Sequence, residues 1–466
     1  MVPSSRFSTV PSQMLLFFVV LLASPALFSQ VRGLSAHDQR ELASALSADD
    51  AGHPQQAEQP LRDLVRRYPR NFEILESLGL VYAELGEYAR ACPYLERATR
   101  ANPASAAAYA NLGSAYLKLN RTPDALKALQ HAAEIEPANA TTQTTLGLAR
   151  MQAHQSKLAA EAFAHAAQIS LPNADLLYNW SVALLGAGEI TSAAGVADRI
   201  PGAESSAQVQ SLLGDIAEHQ DKFKDAADHY QKAVDLNPTE ANIYTLAMEF
   251  VRHWTFDPAI KIFDYGLDRY PASTLLLSGK GIAEYADNHY ADAASIFSGL
   301  LVHDPDNALY AEILGHSCNL MPDSIPGCNR MINFAQAHPS NAPANLFAAE
   351  SLLHNPGDPG ASAKAEKLLR QAIVDDPALA EAWYELGVLD QQKGQWQQSQ
   401  TALEKCVALQ PRLSKAHYRL ALAYAHLGKR DRSKQEIALQ QQYSEQEKDK
   451  LNARMQEVTR FVVANH

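Results

Sequence analysis

At 466 residues, with 47% hydrophobic but only 8% aromatic side chains, the chain is too long for one ordinary core, which leaves several domains or a quasi-linear array. A formal net charge of -12 argues against an electrostatic nucleic-acid binder, which needs a clustered basic surface. Alanine, leucine, glutamate and glutamine dominate without β-branched runs, a helix-forming mixture.

The first segment differs from the rest. Residues 14–23 read MLLFFVVLLA, an unbroken apolar run preceded by Arg6 and followed by SPALFSQ, with small residues for cleavage after Ala26 or Ser29. That layout is a secretory signal, assigned to residues 1–29. A run of about ten apolar residues falls short of the roughly 20 that a spanning helix needs. The mature chain is therefore expected to be periplasmic or secreted, with no membrane span after cleavage; a retained anchor is the alternative.

After a polar, poorly matched unit at 36–70, read as an N-terminal cap, a small residue returns at nearly constant spacing. The series is Ala45, Gly79, Gly113, Gly147, Ser181, Gly214, Ala247, Gly281, Gly315, Ala349, Gly387 and Ala421, with a step of 34 residues almost throughout. A second series keeps that step about twelve residues later, through Ala57, Ala91, Ala125, Ala159, Ala193, Ala226, Ala259, Ala293, Gly327, Ala365, Ser399 and Ser433. Prolines such as Pro69, Pro103, Pro137, Pro238, Pro271 and Pro305 punctuate the unit ends. A glycine inside a helix costs about 1 kcal/mol against alanine, so its recurrence needs a packing reason. Two antiparallel helices approach closely where both carry small side chains, so the first slot is expected to meet the second. Leu95, Leu129, Phe163, Tyr230, Phe263, Phe297 and Leu403 are then expected to fill the space toward the next unit.

The order Leu-Gly, Tyr, Ala, large residue, Ala and Pro, clearest in residues 72–139 and 380–411, resembles the tetratricopeptide repeat family. The resemblance runs from residue 38 to about 445 and implies an all-α, right-handed superhelical α-solenoid of about twelve helix-turn-helix repeats, in blocks at 71–206, 207–341 and 342–443. The unit at 174–206 lacks its late proline, the unit at 308–341 has a proline-bracketed turn, and HNPGDPG at 354–360 carries a four-residue insertion. Bends are expected there.

The same resemblance implies that function sits on the inner surface built by each unit's first helix, and that the partners are other proteins or peptides. The inner slots hold Tyr178, Val182 and Leu185; Tyr244, Met248 and Val251; Ile282 and Tyr285; Tyr384 and Val388; and Tyr418 with Leu422. A tyrosine-lined apolar groove suits an extended or helical segment, because Tyr supplies contact area and a hydroxyl while losing little rotamer freedom. The competing reading leaves these residues partly in the core. Some family members grip a terminal carboxylate with lysines and asparagines; here Thr145 and Leu212 interrupt Asn111 and Asn179, so no such clamp is expected.

In an exported chain Cys318 and Cys328, flanking NLMPDSIPG, are permitted to form a disulfide, the alternative being two unpaired packing residues. Cys92 and Cys406 read as packing residues. Toward the C-terminus, Ser444 and Glu447 form an S-x-x-E signature ahead of Leu451, Met455, Val458 and Val462, which predicts a separate capping helix over 444–466. A partner-docking helix is its alternative.

Chemistry-bearing motifs are scarce. The sequence holds no His-Glu-x-x-His, Gly-x-Ser-x-Gly or GxxxxGK[ST] pattern and no Cys/His zinc spacing, so no metal, cofactor or catalytic residue is expected. The nearest cluster is Asp215, Glu218 and His219, at i, i+3 and i+4 on one helix face, for which a solvated face is the plainer reading. His131, His165, His229 and His417 read as surface or half-buried, and the Asn-x-Ser/Thr triplets at Asn120, Asn139 and Asn179 as chance matches. The reading is a non-enzymatic protein-interaction scaffold; a structural spacer in an envelope or secretion assembly, or least of all a hydrolase at Asp215 and His219, are the alternatives. Oligomeric state stays open.

Overall fold

The computed structural model describes residues 33–321, 329–353 and 360–464, with 329 and 451–464 described for their backbone only. The expected signal, Cys328 and most of the insertion lie outside the described residues, as do the side chains of Leu451, Met455, Val458 and Val462. Among the described residues every regular element is helical, and the chain divides into two compact units, residues 1–202 and 203–466.

The first unit stacks five helical hairpins. They are α1 (Ala36–Asp50) with α2 (Pro54–Arg67), α3 (Phe72–Glu84) with α4 (Tyr88–Ala101), and α5 (Ala106–Lys118) with α6 (Thr122–Ile135). α7 (Ala140–Gln152) with α8 (Ser156–Ile169), and α9 (Ala174–Gly186) with the short α10 (Ile190–Ala197), complete it. The second unit opens on a 3-10 turn, Ala203–Ser205, and holds seven hairpins. These begin with α11 (Ala207–His219) and α12 (Phe223–Leu236), α13 (Glu240–Arg252) and α14 (Phe256–Arg269), and α15 (Thr274–Ala286) and α16 (Tyr290–His303). α17 (Ala308–Asn319) with α18 (Asn329–Ala337), α19 (Ala342–Leu353) with α20 (Ala361–Asp375), and α21 (Ala380–Gln392) with α22 (Trp396–Leu409) follow. α23 (Ser414–His426) and α24 (Arg430–Ala464) end it. The chain is an all-α, solenoid-type array, as the 34-residue register predicts.

Local chemistry repeats with the same period. First helices start at a polar N-cap whose side chain accepts the N–H three residues on, as with Asn71 from Ile74, Asn139 from Thr142 and Asn173 from Leu176, satisfying an otherwise orphaned donor. Asn139 is thus a cap, Asn120 a turn residue, and Asn179 a donor to the Asp175 carbonyl. Described hairpin turns pass through positive φ, as at Gly86, Asn120, His154, Gly188, Asp221, Trp254 and Asn288. It is closed by bonds such as Glu87 N–H to the Tyr82 carbonyl, 2.8 Å, the Schellman arrangement. Trp254, at φ 58, holds with a bulky side chain a conformation that costs about 1 kcal/mol or more outside glycine.

The small-residue slot works differently from the expectation. A Cβ placed on Gly79 would meet Leu95 at 2.7 Å, on Gly113 Leu129 at 2.5 Å, on Gly147 Phe163 at 2.5 Å, on Gly214 Tyr230 at 2.5 Å, and on Gly387 Leu403 at 2.6 Å. The glycine therefore receives the large side chain of its own hairpin's second helix. Leu95, Leu129, Phe163, Tyr230, Phe297 and Leu403 thus enter their own hairpin's seam, whereas Phe263 reaches Gly279 of the next unit as expected, and Gly315 receives Phe347 of the following hairpin. The alanine series does lie in the seam: Ala91, Ala125, Ala159, Ala226, Ala259 and Ala293 are fully buried, and the Ala125 carbonyl is 3.3 Å from the Gly113 Cβ position. Where α10 offers only Ala197 at the large position, the slot holds Ser181, whose Oγ donates to the Ala193 carbonyl at 2.8 Å.

Neighbouring hairpins are tied by a second device. The Tyr82 hydroxyl on α3 donates to Glu58 on α2, Tyr116 on α5 to Glu96 on α4, and Tyr424 on α23 to Glu404 on α22, at 3.1, 2.7 and 2.7 Å. Arg90 and Arg121 sit over the first two rings at 4.1 and 4.4 Å, a charge-assisted closure of a buried hydroxyl. Cys92 and Cys406 are free and buried, whereas Cys318 is disulfide-bonded.

At the C-terminal end, α24 runs unbroken through Ser444 and Glu447, so their S-x-x-E spacing does not begin a helix. Glu447 instead accepts from Ser414 Oγ at 2.9 Å. His417 is buried, not at the surface, and lies 2.5 Å from Glu436 Oε2 and 2.9 Å from the Pro411 carbonyl, fastening α24 to α23.

Gly147→Val should lower stability by about 1–3 kcal/mol in urea unfolding followed by circular dichroism, because Phe163 has no room to give. Gly195→Ala, with nothing within 4 Å of its added Cβ, should leave stability unchanged or raise it by up to about 1 kcal/mol. Equal effects at the two sites would refute the slot assignment.

Candidate functional site

Along each hairpin the first helix packs on the second through its small-residue seam, and the slots singled out in the sequence flank that seam, within about 100° around the helix. In the first unit Tyr178, Val182 and Leu185 stand on α9, all half-buried. In the second unit Tyr244 and Met248 on α13, Ile282 and Tyr285 on α15, and Val388 on α21 are half-buried, while Val251 and Tyr384 are buried. Tyr418 on α23 is open, at 48% exposure.

Several of these rings already have partners. Tyr244 lies edge-on to Phe263 at 6.1 Å between centroids, and it would stand 2.9 Å from a Cβ on Gly279. Tyr285 tilts against Tyr290 at 5.7 Å, and Lys415 Nζ sits 4.4 Å from the Tyr384 ring centre. The series is therefore graded from joint to surface, with Tyr244 bridging repeats and Tyr418 presented to solvent.

Carboxylates share this face. Burial pushes the Glu76 carboxyl up to about 7, with Glu73 adding to it, and Oε1 of Glu76 accepts no hydrogen bond. Burial likewise pushes Glu350 on α19 up to about 8; Glu385 adds to this, while Lys415 and the Asn319 amide, which donates to Oε2, pull the other way. In each unit, then, tyrosine and aliphatic groups stand beside a carboxyl whose burial favours its protonated form.

The cluster Asp215, Glu218 and His219 does not assemble. Asp215 accepts from the Tyr230 hydroxyl at 2.7 Å, and the exposed His219 donates from Nδ1 to the Asp215 backbone carbonyl, 2.7 Å. Glu218 turns to the next repeat, where Arg252 Nη1 is 3.2 Å and His253 Nε2 3.3 Å away. Glu249 joins them, 2.5 Å from Arg252 and 3.3 Å from His253. Glu249 and His253 are 0% and 2% exposed. Burial raises the Glu249 carboxyl, whereas His253, Arg252 and the hydrogen bonds they supply overcome burial and hold Glu218 low. Sequence reasoning missed Glu249 and His253; the readable signal was their i, i+4 spacing one repeat beyond Glu218.

Family models described as tetratricopeptide repeat match residues 42–98, 78–140 and 384–433, and a second such model matches 207–240. No curated protein matches the chain. Among solved structures, Pseudomonas aeruginosa pilF is 19% identical, with a TM-score of 0.38, over 44% of this chain and 94% of its own. YrrB, titled a TPR protein with an unusual peptide-binding site, is 19% identical at a TM-score of 0.34, over 40% and 97%. The Cut9–Hcn1 complex of APC/C gives 16% and 0.36 over 88% of each chain.

The Glu350 proton has a measurable consequence. A folded-state pKa of about 8 against an ordinary 4.5 means that the folded chain holds the extra proton between those values. Its contribution to stability is full below about 4.5 and is lost as pH rises through about 8. Glu350→Gln should flatten the decline of Tm between pH 5 and 8; an unchanged slope would show that Glu350 is ionised in the folded chain.

Proposed function

The chain is a multi-repeat tetratricopeptide protein, and from that premise we propose that it holds extended or helical protein segments against the first-helix face of its repeats. Its repeats make it a protein-interaction scaffold in the general sense. The finer reading rests on one observation: the first-helix slots carry tyrosine and aliphatic side chains that remain accessible after the hairpin seam is filled. Tyr418, nearly half exposed on a face where Lys415 covers the neighbouring Tyr384, is the strongest single anchor. Tyr178, Met248, Tyr285 and Val388 would extend the contact within their own units. Aromatic anchors of this kind concentrate binding energy, and tyrosine and aliphatic groups favour apolar segments over acidic or basic ones.

A catalytic role has no support from the dispersed Asp215 and His219, and we read the chain as non-enzymatic. We further propose that it is exported, on the strength of the apolar run and small-residue site in residues 14–29. N-terminal sequencing of the mature protein should begin near residue 27 or 30.

Two tyrosines of matched exposure give the decisive test. A photo-crosslinking amino acid in place of Tyr418 on first helix α23 should capture protein segments, and an unlabelled selected peptide should compete the adduct away. The same group in place of Tyr265, 46% exposed on second helix α14, should capture none. Tyr418→Ala should weaken that peptide about tenfold or more; equal yields at both positions would reject the face.

A further inference from the structure

Between α11 and α13 four ionisable side chains meet, with Glu249 and His253 buried, Glu218 half-buried and Arg252 at the surface. Each carboxylate divides its oxygens in the same way. Glu218 Oε1 and Glu249 Oε2 go to Arg252 Nη1, at 3.2 and 2.5 Å. The remaining oxygens, Glu218 Oε2 and Glu249 Oε1, face His253 Nε2, each at 3.3 Å.

Those two equal distances are long for hydrogen bonds between charged groups, which close to about 2.7–2.9 Å. One Nε2–H also cannot point at two oxygens at once. A tetrahedral ion with donors at about 2.0–2.1 Å, however, separates neighbouring donors by about 3.3–3.4 Å. The three donor atoms, one from each residue, lie within 4.8 Å of one another. Glu249 is also fully buried, and its Oε1 accepts no hydrogen bond, so a buried acceptor is aimed into the space with His253 Nε2 standing off at 3.3 Å.

We propose that Glu218, Glu249 and His253 form a binding site for a divalent cation of the zinc class, which staples two consecutive repeats together. Glu218 Oε2, Glu249 Oε1 and His253 Nε2 supply three ligands. The fourth position is left to water on the Glu218 side, the most accessible of the three at 17%. Arg252 holds both carboxylates by their outer oxygens, and the Phe223 ring, 4.2 Å from the imidazole centre, fixes the histidine plane, as supporting groups do around metal ligands. The ion takes the place of an Nε2 proton, so His253 binds it as the neutral imidazole. The other described trio, His37, Asp38 and Glu41, is more open, and Asp38 is already engaged by Ser35, Tyr68 and Arg67.

Chelator-stripped full-length protein titrated with cobalt(II) should develop the intense visible absorption of a tetrahedral site, saturating at one equivalent per chain and abolished by zinc. Zinc should also raise the Tm of the wild-type protein. His253→Ala and Glu249→Gln should lose the spectrum, and Glu218→Gln, altering the most accessible ligand, should weaken zinc at least about tenfold while the protein stays folded. If the buried variants fail to fold, the wild-type titration decides alone. An octahedral spectrum, no saturable band, or a band unchanged in Glu218→Gln would overturn the site in favour of a protonated His253 shared between two carboxylates.

Discussion

The close approach of a small residue, most often glycine, to a large side chain across the hairpin seam sets the geometry on which the rest depends. At Gly113, Gly147 and Gly214 the seam admits Leu129, Phe163 and Tyr230 so closely that a single methyl group would collide. Each unit thus gains dense packing by removing a side chain from one helix and burying a large one from the other. The loss of helix propensity at glycine, about 1 kcal/mol, is offset by burial of a Leu or Phe side chain, about 1.5–3 kcal/mol. The second helix is thereby fixed, and the positions flanking the seam on the first are left for other work.

That division explains which parts of the molecule were legible in the sequence. Period, helix pairs and turns follow from small residues, N-caps and the residues of the left-handed turn, all local and recurring every 34 positions. The identity of the residue facing each glycine was not legible, because Leu95 or Phe163 can turn inward or toward the next unit without changing the pattern. Ser444 and Glu447 misled for a related reason: a capping signature stabilises a helix start only where the chain stops being helical, and α24 does not stop there. Asp215, Glu218 and His219 shared one face of α11 by their i, i+3 and i+4 spacing, but that rule describes one helix, whereas Glu218 is satisfied from α13.

The first-helix face divides its residues between holding repeats together and remaining available. Tyr82, Tyr116 and Tyr424 send their hydroxyls to a glutamate of the preceding hairpin, so they belong to the joint. Tyr244, wedged against Phe263 and the backbone of Gly279, is also a joint residue, although its slot is the one expected to touch a partner. Tyr418 has the same register position on α23 and stands open at 48% exposure. Position in the array, as much as residue type, decides which tyrosines are free to bind.

A quasi-linear fold makes each joint responsible for its own stability, since a repeat touches mainly its neighbours. Three joints carry a tyrosine tie, in which hydroxyl and carboxylate satisfy each other. The joint between α11 and α13 instead buries Glu249 and His253, with Glu218 half-buried and Arg252 closing it from the exposed side. Taking several charges out of water costs several kcal/mol per ion unless every lone pair is met. Arg252 meets two of the four carboxylate oxygens well, and the geometry around His253 leaves the other two at a distance that a proton serves poorly. An ion held there, as proposed, would meet those two oxygens and complete the joint.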